Sequence, residues 1–188
     1  MAFYKSEVIQ MLISVFTISL AFSLGFLVSF PLIFLTVGLG FILHEMGHKL
    51  VALRFGCKAF YKMWVEGLVL AIIFAIATGG RFIFAAPGAV YIYKPGLTRK
   101  ENGLISLAGP MTNVLLAFIF FFLMLTPALQ EVGAWGYRIN LFFAMFNLLP
   151  FPPLDGSKVI TWQPSVWFIV MAVAAVLFFF PQVLFNLI

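Results

Sequence analysis

Long apolar runs separated by short charged segments dominate this chain. Residues 8–28 carry no charged side chain over twenty-one positions, enough to cross a hydrocarbon core about 30 Å thick as a helix. Ser29 and Pro31 mark a turn, proline being tolerated in the first turn of a new helix, and a second run extends from residue 32 to about 54. Further runs occupy 103–125, 139–150 and 166–188, and no repeat of fixed period stands out. The polar segments between them are too short for a separate soluble domain. The pattern predicts an all-α polytopic membrane protein with about five to six transmembrane helices, forming a single domain over residues 1–188.

Residues 67–93 fit least well. Two apolar halves, 68–78 and 82–93, are each short for a spanning helix and are separated by Gly79-Gly80-Arg81. The second half is rich in aromatic and β-branched residues around Pro87-Gly88, which reads as a re-entrant or β-hairpin segment near residues 80–93. Two short tilted helices are the alternative. Non-helical backbone at membrane depth is tolerated where it is buried in protein or lines a water-filled cavity, so a hairpin here is expected to line the site.

Composition agrees with the membrane reading: 64% of residues are hydrophobic and 9% charged, with a mean hydropathy of +1.14. The net charge of +5 does not point to nucleic acid, because the basic residues lie mainly between apolar runs. They report orientation instead. Arg54, Lys58 and Lys62 in segment 54–66, and Lys94, Arg99 and Lys100 in segment 94–101, place both segments on the cytoplasmic side. Segment 127–138, with Trp135 and Tyr137, is then an outer loop, and the C-terminus falls outside. A single cysteine, Cys57, excludes an internal disulfide and a Cys-rich zinc site. The first apolar run lacks a small-residue cleavage pattern and is read as a retained helix rather than a signal peptide.

The chemistry lies near the end of the second run, in FILHEMGHKLV, residues 41–51. On a helix, residues four apart share a face, so His44 and His48 can grip one metal ion with Glu45 beside it. These are the chain's two histidines. An ionisable cluster in an apolar span is costly, which favours metal ligation over a plain hydrogen-bonded helix contact. A catalytic zinc usually takes three protein ligands and keeps one position open. Oxygen candidates are Asp155, Glu7, Glu66, Glu101 and Glu131. Glu131 falls on the opposite side, Glu7 begins the first helix, and Glu66 and Glu101 lie in solvated basic segments. Asp155 remains, the chain's single aspartate, although Asp-Gly is also a common turn pair. Pro150, Pro152 and Pro153 stop a regular helix and present Leu154-Asp155-Gly156 on an irregular turn. By the charge pattern, the ends of the second run and of segment 139–150 both reach the cytoplasmic side, so Asp155 can meet the histidines.

His44-Glu45-Met46-Gly47-His48 together with Leu154-Asp155-Gly156, and the spacing of Asn147 and Pro150 before it, resembles the site-2 protease family of intramembrane zinc metalloproteases. Gly109-Pro110 and Asn113 resemble a further motif of that family, and the likeness spans a catalytic core from about 32 to 158. Ser157 stands where many members have a second glycine. The resemblance implies one catalytic zinc ion held by His44, His48 and Asp155. It also implies Glu45 as catalytic base and Asn147 as a substrate or oxyanion contact. The substrate would be a transmembrane protein cut within or near its span, in a site inside the bilayer near its cytoplasmic face. Such a substrate helix must unwind before a carbonyl can approach the metal, and a strand edge in the 82–93 segment could hold it by β-augmentation. The rivals are a non-proteolytic protein that binds transmembrane segments or metal, a metal transporter, and a membrane zinc protease with a glutamate as third ligand. An intact Glu45 argues against the first, and the scarcity of intramembrane carboxylates against the second.

Overall fold

The computed structural model describes residues 4–26, 30–79 and 87–180. Its elements in order are α1 (Lys5–Phe26), α2 (Phe30–Arg54), β1 (Lys58–Met63), α3 (Val65–Ala77), β2 (Gly88–Tyr93), α4 (Arg99–Met124), α5 (Gln130–Asn147), α6 (Asp155–Trp162) and α7 (Pro164–Phe179), with a 3-10 turn, Pro127–Leu129, before α5. Three helices are long and apolar enough to cross a membrane, over Lys5–Leu24, Phe30–Arg54 and Arg99–Met124, and two shorter apolar helices are Val65–Ala77 and Pro164–Phe179. The chain is an integral membrane protein; its described residues show three such helices rather than five or six.

Helix α2 runs through the middle and packs against α1, α4 and α5. Val15, Ile18 and Phe22 of α1 meet Ile33, Val37 and Phe41 of α2 and Ile139 and Phe143 of α5 in one buried cluster that includes Tyr61 of β1. Lipid offers apolar surface as good as another helix, so association depends on close packing and on small residues at the contact. Gly47 meets that requirement: a Cβ there would stand 2.6 Å from Thr112 Oγ1 and 3.0 Å from the Ala108 carbonyl oxygen. The α2–α4 approach that builds the site therefore needs glycine at this position. Outward residues such as Leu12, Phe16, Ile119 and Ile169 stay exposed, as lipid-facing side chains do.

Three expectations change, and the sheet adds a pairing that none of them anticipated. Segment 54–66 is not simply a solvated loop, because Lys58–Met63 forms a strand. Gly88–Tyr93, the described strand of segment 80–93, pairs antiparallel with Lys58–Met63, in register Lys58↔Tyr93 to Met63↔Gly88. Among the described residues the sheet is a two-stranded ribbon with α3 inserted between its strands, a long-range pairing that local strand propensity cannot reveal. The remainder of the expected hairpin, residues 80–86, lies outside the described residues. The expected outer loop at 127–138 is mostly helix, since α5 begins at Gln130. Finally, Asp155 does not sit on an irregular turn but opens α6; the prolines shape the turn before it, and the Trp167 indole N–H donates to the Leu148 carbonyl there at 2.7 Å.

Cys57 is buried between Ala52 and Ile105, and burial pushes its thiol up, away from the reactive thiolate. Glu101 forms a capping box with Thr98 at the start of α4 and an ion pair with Lys94, while Glu66 and Glu131 are exposed in the first turns of α3 and α5. None of these carboxylates approaches the histidines.

Candidate metal centre

His44 and His48 stand one turn apart on the buried face of α2, with their Nε2 atoms 3.0 Å from each other. Asp155, at the first position of α6, sends Oδ2 to 3.4 Å from His44 Nε2 and 3.0 Å from His48 Nε2. All three ligand atoms lie within 4.8 Å of one another, and among the described residues this is the group able to hold a metal ion. Each residue is at least nine-tenths buried.

The partners of the ring nitrogens set the tautomers. His44 Nδ1 donates to Asn113 Oδ1 at 2.5 Å, and His48 Nδ1 donates to the Ile105 carbonyl at 2.7 Å. Both acceptors are oxygens, so the protons sit on Nδ1 and the Nε2 lone pairs face Asp155. Asn113 is itself oriented, its amide N–H groups donating to the Gly40 carbonyl at 3.0 Å and to Asn140 Oδ1 at 2.9 Å. Asn140 in turn donates to the Gly136 carbonyl at 2.8 Å. Two imidazole nitrogens and a carboxylate, each histidine steadied through its second nitrogen, suit a hard-to-borderline divalent ion such as zinc.

Space for the rings comes from α4. A Cβ at Gly109 would lie 2.7 Å from His44 Cε1 and closer still to the His48 ring. The Gly109-Pro110 and Asn113 motif therefore does two jobs on one helix: it clears room for the imidazoles and supplies the acceptor that aims His44. Gly156 does the equivalent for Asp155, because a Cβ there would fall 2.5 Å from the Leu149 carbonyl oxygen and nearer to Leu148.

Glu45 projects beside the histidines, and its Oε2 accepts the Val90 amide N–H at 2.9 Å. A cavity of about 330 Å³ opens here, lined by His44, Glu45, His48, Val90, Asn147 and Asp155. Asn147 reaches the cavity wall, with one amide hydrogen donated to the Phe143 carbonyl of its own helix at 3.0 Å. Lys158 Nζ stands 3.7 Å from Asp155 Oδ1 on the exposed side. Sequence reasoning did not find Asn140, the Val90 N–H as the partner of Glu45, or the Ile105 carbonyl. Asn140 had a visible signal, an amide in an apolar run; the two backbone groups had none.

Apolar spanning helices that bury two histidines, a carboxylate and an adjacent glutamate define a membrane metallohydrolase. The model of peptidase family M50 matches residues 32–129, and the chain belongs to that family as a zinc metalloprotease. It is 48% identical over 178 residues to the zinc metalloprotease MJ0611 of Methanocaldococcus jannaschii, covering 89% of this chain and 90% of that one. Zinc metalloprotease YwhC of Bacillus subtilis is 31% identical over 69% of this chain and 68% of its own. Rip2 of Mycolicibacterium smegmatis is 34% identical over 61% of this chain and 50% of its own. No solved structure matches significantly.

Proposed function

We propose that this chain is an intramembrane protease that hydrolyses a peptide bond within or beside a transmembrane segment of its substrate, acting as a single domain. The observation that carries this reading is the placement of His44, His48 and Asp155 next to Glu45 in a cavity set among membrane helices. The three residues would hold one zinc ion, which when bound supplies Lewis-acid polarisation of a carbonyl and a water of lowered pKa. Glu45 is the general base: Val90 N–H holds Oε2, which leaves Oε1 to take a proton from water and return it to the leaving amine. Asn147 has a second amide hydrogen and its side-chain oxygen to offer a substrate backbone.

The ribbon supports a binding mode for the substrate. Tyr61 and Met63 direct their N–H groups away from β2. In an antiparallel pair this makes Tyr61↔Val90 a non-hydrogen-bonded pair, so Gly88, Val90 and Ile92 present their backbone groups on the outer edge of β2. All three line the cavity. An unwound substrate segment can add to this edge as a strand. The basic residues Arg54, Lys58, Lys62, Lys94, Arg99 and Lys100 cluster in sequence around the ribbon, which favours a site near the cytoplasmic face. A total of five to six crossings requires that the shorter apolar helices take part.

The test is cleavage of a panel of single-span substrates by purified protein in detergent, comparing wild type, Glu45→Gln, and a chelated sample with zinc restored. Cleavage inside the span, abolished by Glu45→Gln and recovered with zinc, is the expected result. A substrate that crosslinks to the zinc-loaded protein yet stays intact would instead favour a non-proteolytic binder.

A further inference from the structure

The general base is tied to the ribbon, and the ribbon is tied to an ion pair outside the cavity. Glu7, near the start of α1, is 3% exposed and Lys49, one residue beyond His48, is 2% exposed. Lys49 Nζ donates to both carboxylate oxygens of Glu7, at 2.9 and 3.0 Å. The same carboxylate accepts the Tyr61 amide N–H at 2.7 Å and the Tyr4 amide N–H at 2.8 Å. Further along α1, Gln10 Oε1 accepts the Met63 N–H at 3.0 Å and Ser14 Oγ accepts the Tyr61 hydroxyl at 2.7 Å. Burial pushes the Tyr61 phenol up, which keeps it a donor. Residues 7, 10 and 14 share one helical face, so α1 uses polar side chains to satisfy the edge of β1 that β2 does not.

These contacts close a circuit. Tyr61 is the cross-strand partner of Val90; Tyr61 gives its N–H outward to Glu7, and Val90 gives its N–H outward on the other edge to Glu45. Glu45 and Lys49 are one turn apart on α2, so the ribbon is gripped between two glutamates referenced to the same helix. We propose that Glu7 and Lys49 are positioning residues for the protease reaction, a clamp through which α1 fixes the β2 edge and the Glu45 carboxylate relative to the metal ligands. The clamp rests on the protease reading for its catalytic consequence and on the acceptor oxygens of Glu7 for its structural one. An ion pair kept only for stability would place no demand on the Tyr61 amide.

Two double variants of the zinc-loaded full chain in detergent separate these roles. Both remove the buried charges together, which avoids stranding one of them and is often tolerated. Glu7→Gln with Lys49→Met keeps an acceptor for Tyr61 N–H; Glu7→Leu with Lys49→Met does not. Zinc content, amide exchange of peptides covering 58–63 and 88–93, and kcat and KM on a single-span substrate are measured for each. The Gln/Met pair is expected to keep both strands protected, with kcat/KM within about threefold of wild type. The Leu/Met pair is expected to retain zinc but lose strand protection, with KM raised and kcat/KM lowered about 10- to 100-fold, as for a reacting group displaced by about an ångström. Partial unfolding alone would lower kcat and leave KM in place. Equal exchange and equal kinetics in the two pairs would overturn the clamp, as would a Leu/Met pair whose KM is unchanged. Should the Leu/Met pair fail to take up zinc, Gln10→Leu removes the neighbouring acceptor at Met63 more gently and must still raise KM; an unchanged KM there overturns the proposal. If wild type cuts no substrate, the protease reading fails, while strand protection in the two pairs still decides the clamp.

Discussion

Asn113 Oδ1 lies 2.5 Å from His44 Nδ1, and this contact links the metal helix to α4 and, through Asn140, to α5. A histidine ligand free to rotate or change tautomer binds metal less well, and outer partners of this kind typically contribute 10- to 100-fold in affinity or activity. Asn113→Leu is therefore expected to weaken zinc binding by about 10- to 100-fold. Asn140→Leu should also weaken it, by less, since it acts one step further out. Competition with a chromophoric chelator measures both, and an unaltered affinity in Asn113→Leu would show that His44 needs no such support.

Gly109 faces the imidazole rings so closely that a single methyl has nowhere to go. Gly109→Ala should leave the helical circular dichroism near that of wild type, because alanine favours helix, while zinc stoichiometry falls sharply. Full zinc occupancy in this variant would mean that α4 can retreat from α2 without harm, contrary to the tight Gly47 contact beside it.

Asp155 is the carboxylate that reaches the histidines, whereas Glu66 is exposed and Glu101 is engaged with Thr98 and Lys94. Loss of bound zinc is expected for Asp155→Ala and not for Glu66→Ala or Glu101→Ala, as read by metal analysis of the purified proteins. Zinc retained by Asp155→Ala and lost from either glutamate variant would restore the glutamate-ligand alternative.

The β2 edge can be tested without touching the base. Proline at Val90 would remove the N–H that holds Glu45 as well as an edge donor, so its effect would be ambiguous. Ile92→Pro removes an edge N–H that β1 does not use, and proline is tolerated on edge strands. KM is expected to rise severalfold with zinc content unchanged; cleavage with wild-type KM would exclude strand addition at this edge.

Hydrophobic patterning and residue spacing carried much of this protein by themselves. An apolar run must bury or face lipid whatever its neighbours are, so the membrane helices over Lys5–Leu24, Phe30–Arg54 and Arg99–Met124 were legible locally. HExxH was legible too, because helical periodicity alone places His44 and His48 on one face. The tertiary structure decided what depends on partners distant in the chain. Lys58–Met63 reads as a basic loop until β2 arrives to pair with it. Glu7 reads as a solvated start until Lys49 and the Tyr61 amide surround it. Asn113 resembles part of a family motif and Asn140 is an amide in an apolar run, but neither shows its partner until three helices bring them into line with His44. In each case the deciding interaction is a hydrogen bond of a buried polar group. Such a bond has a short reach, is indispensable once water is excluded, and forms only after the apolar helices have packed.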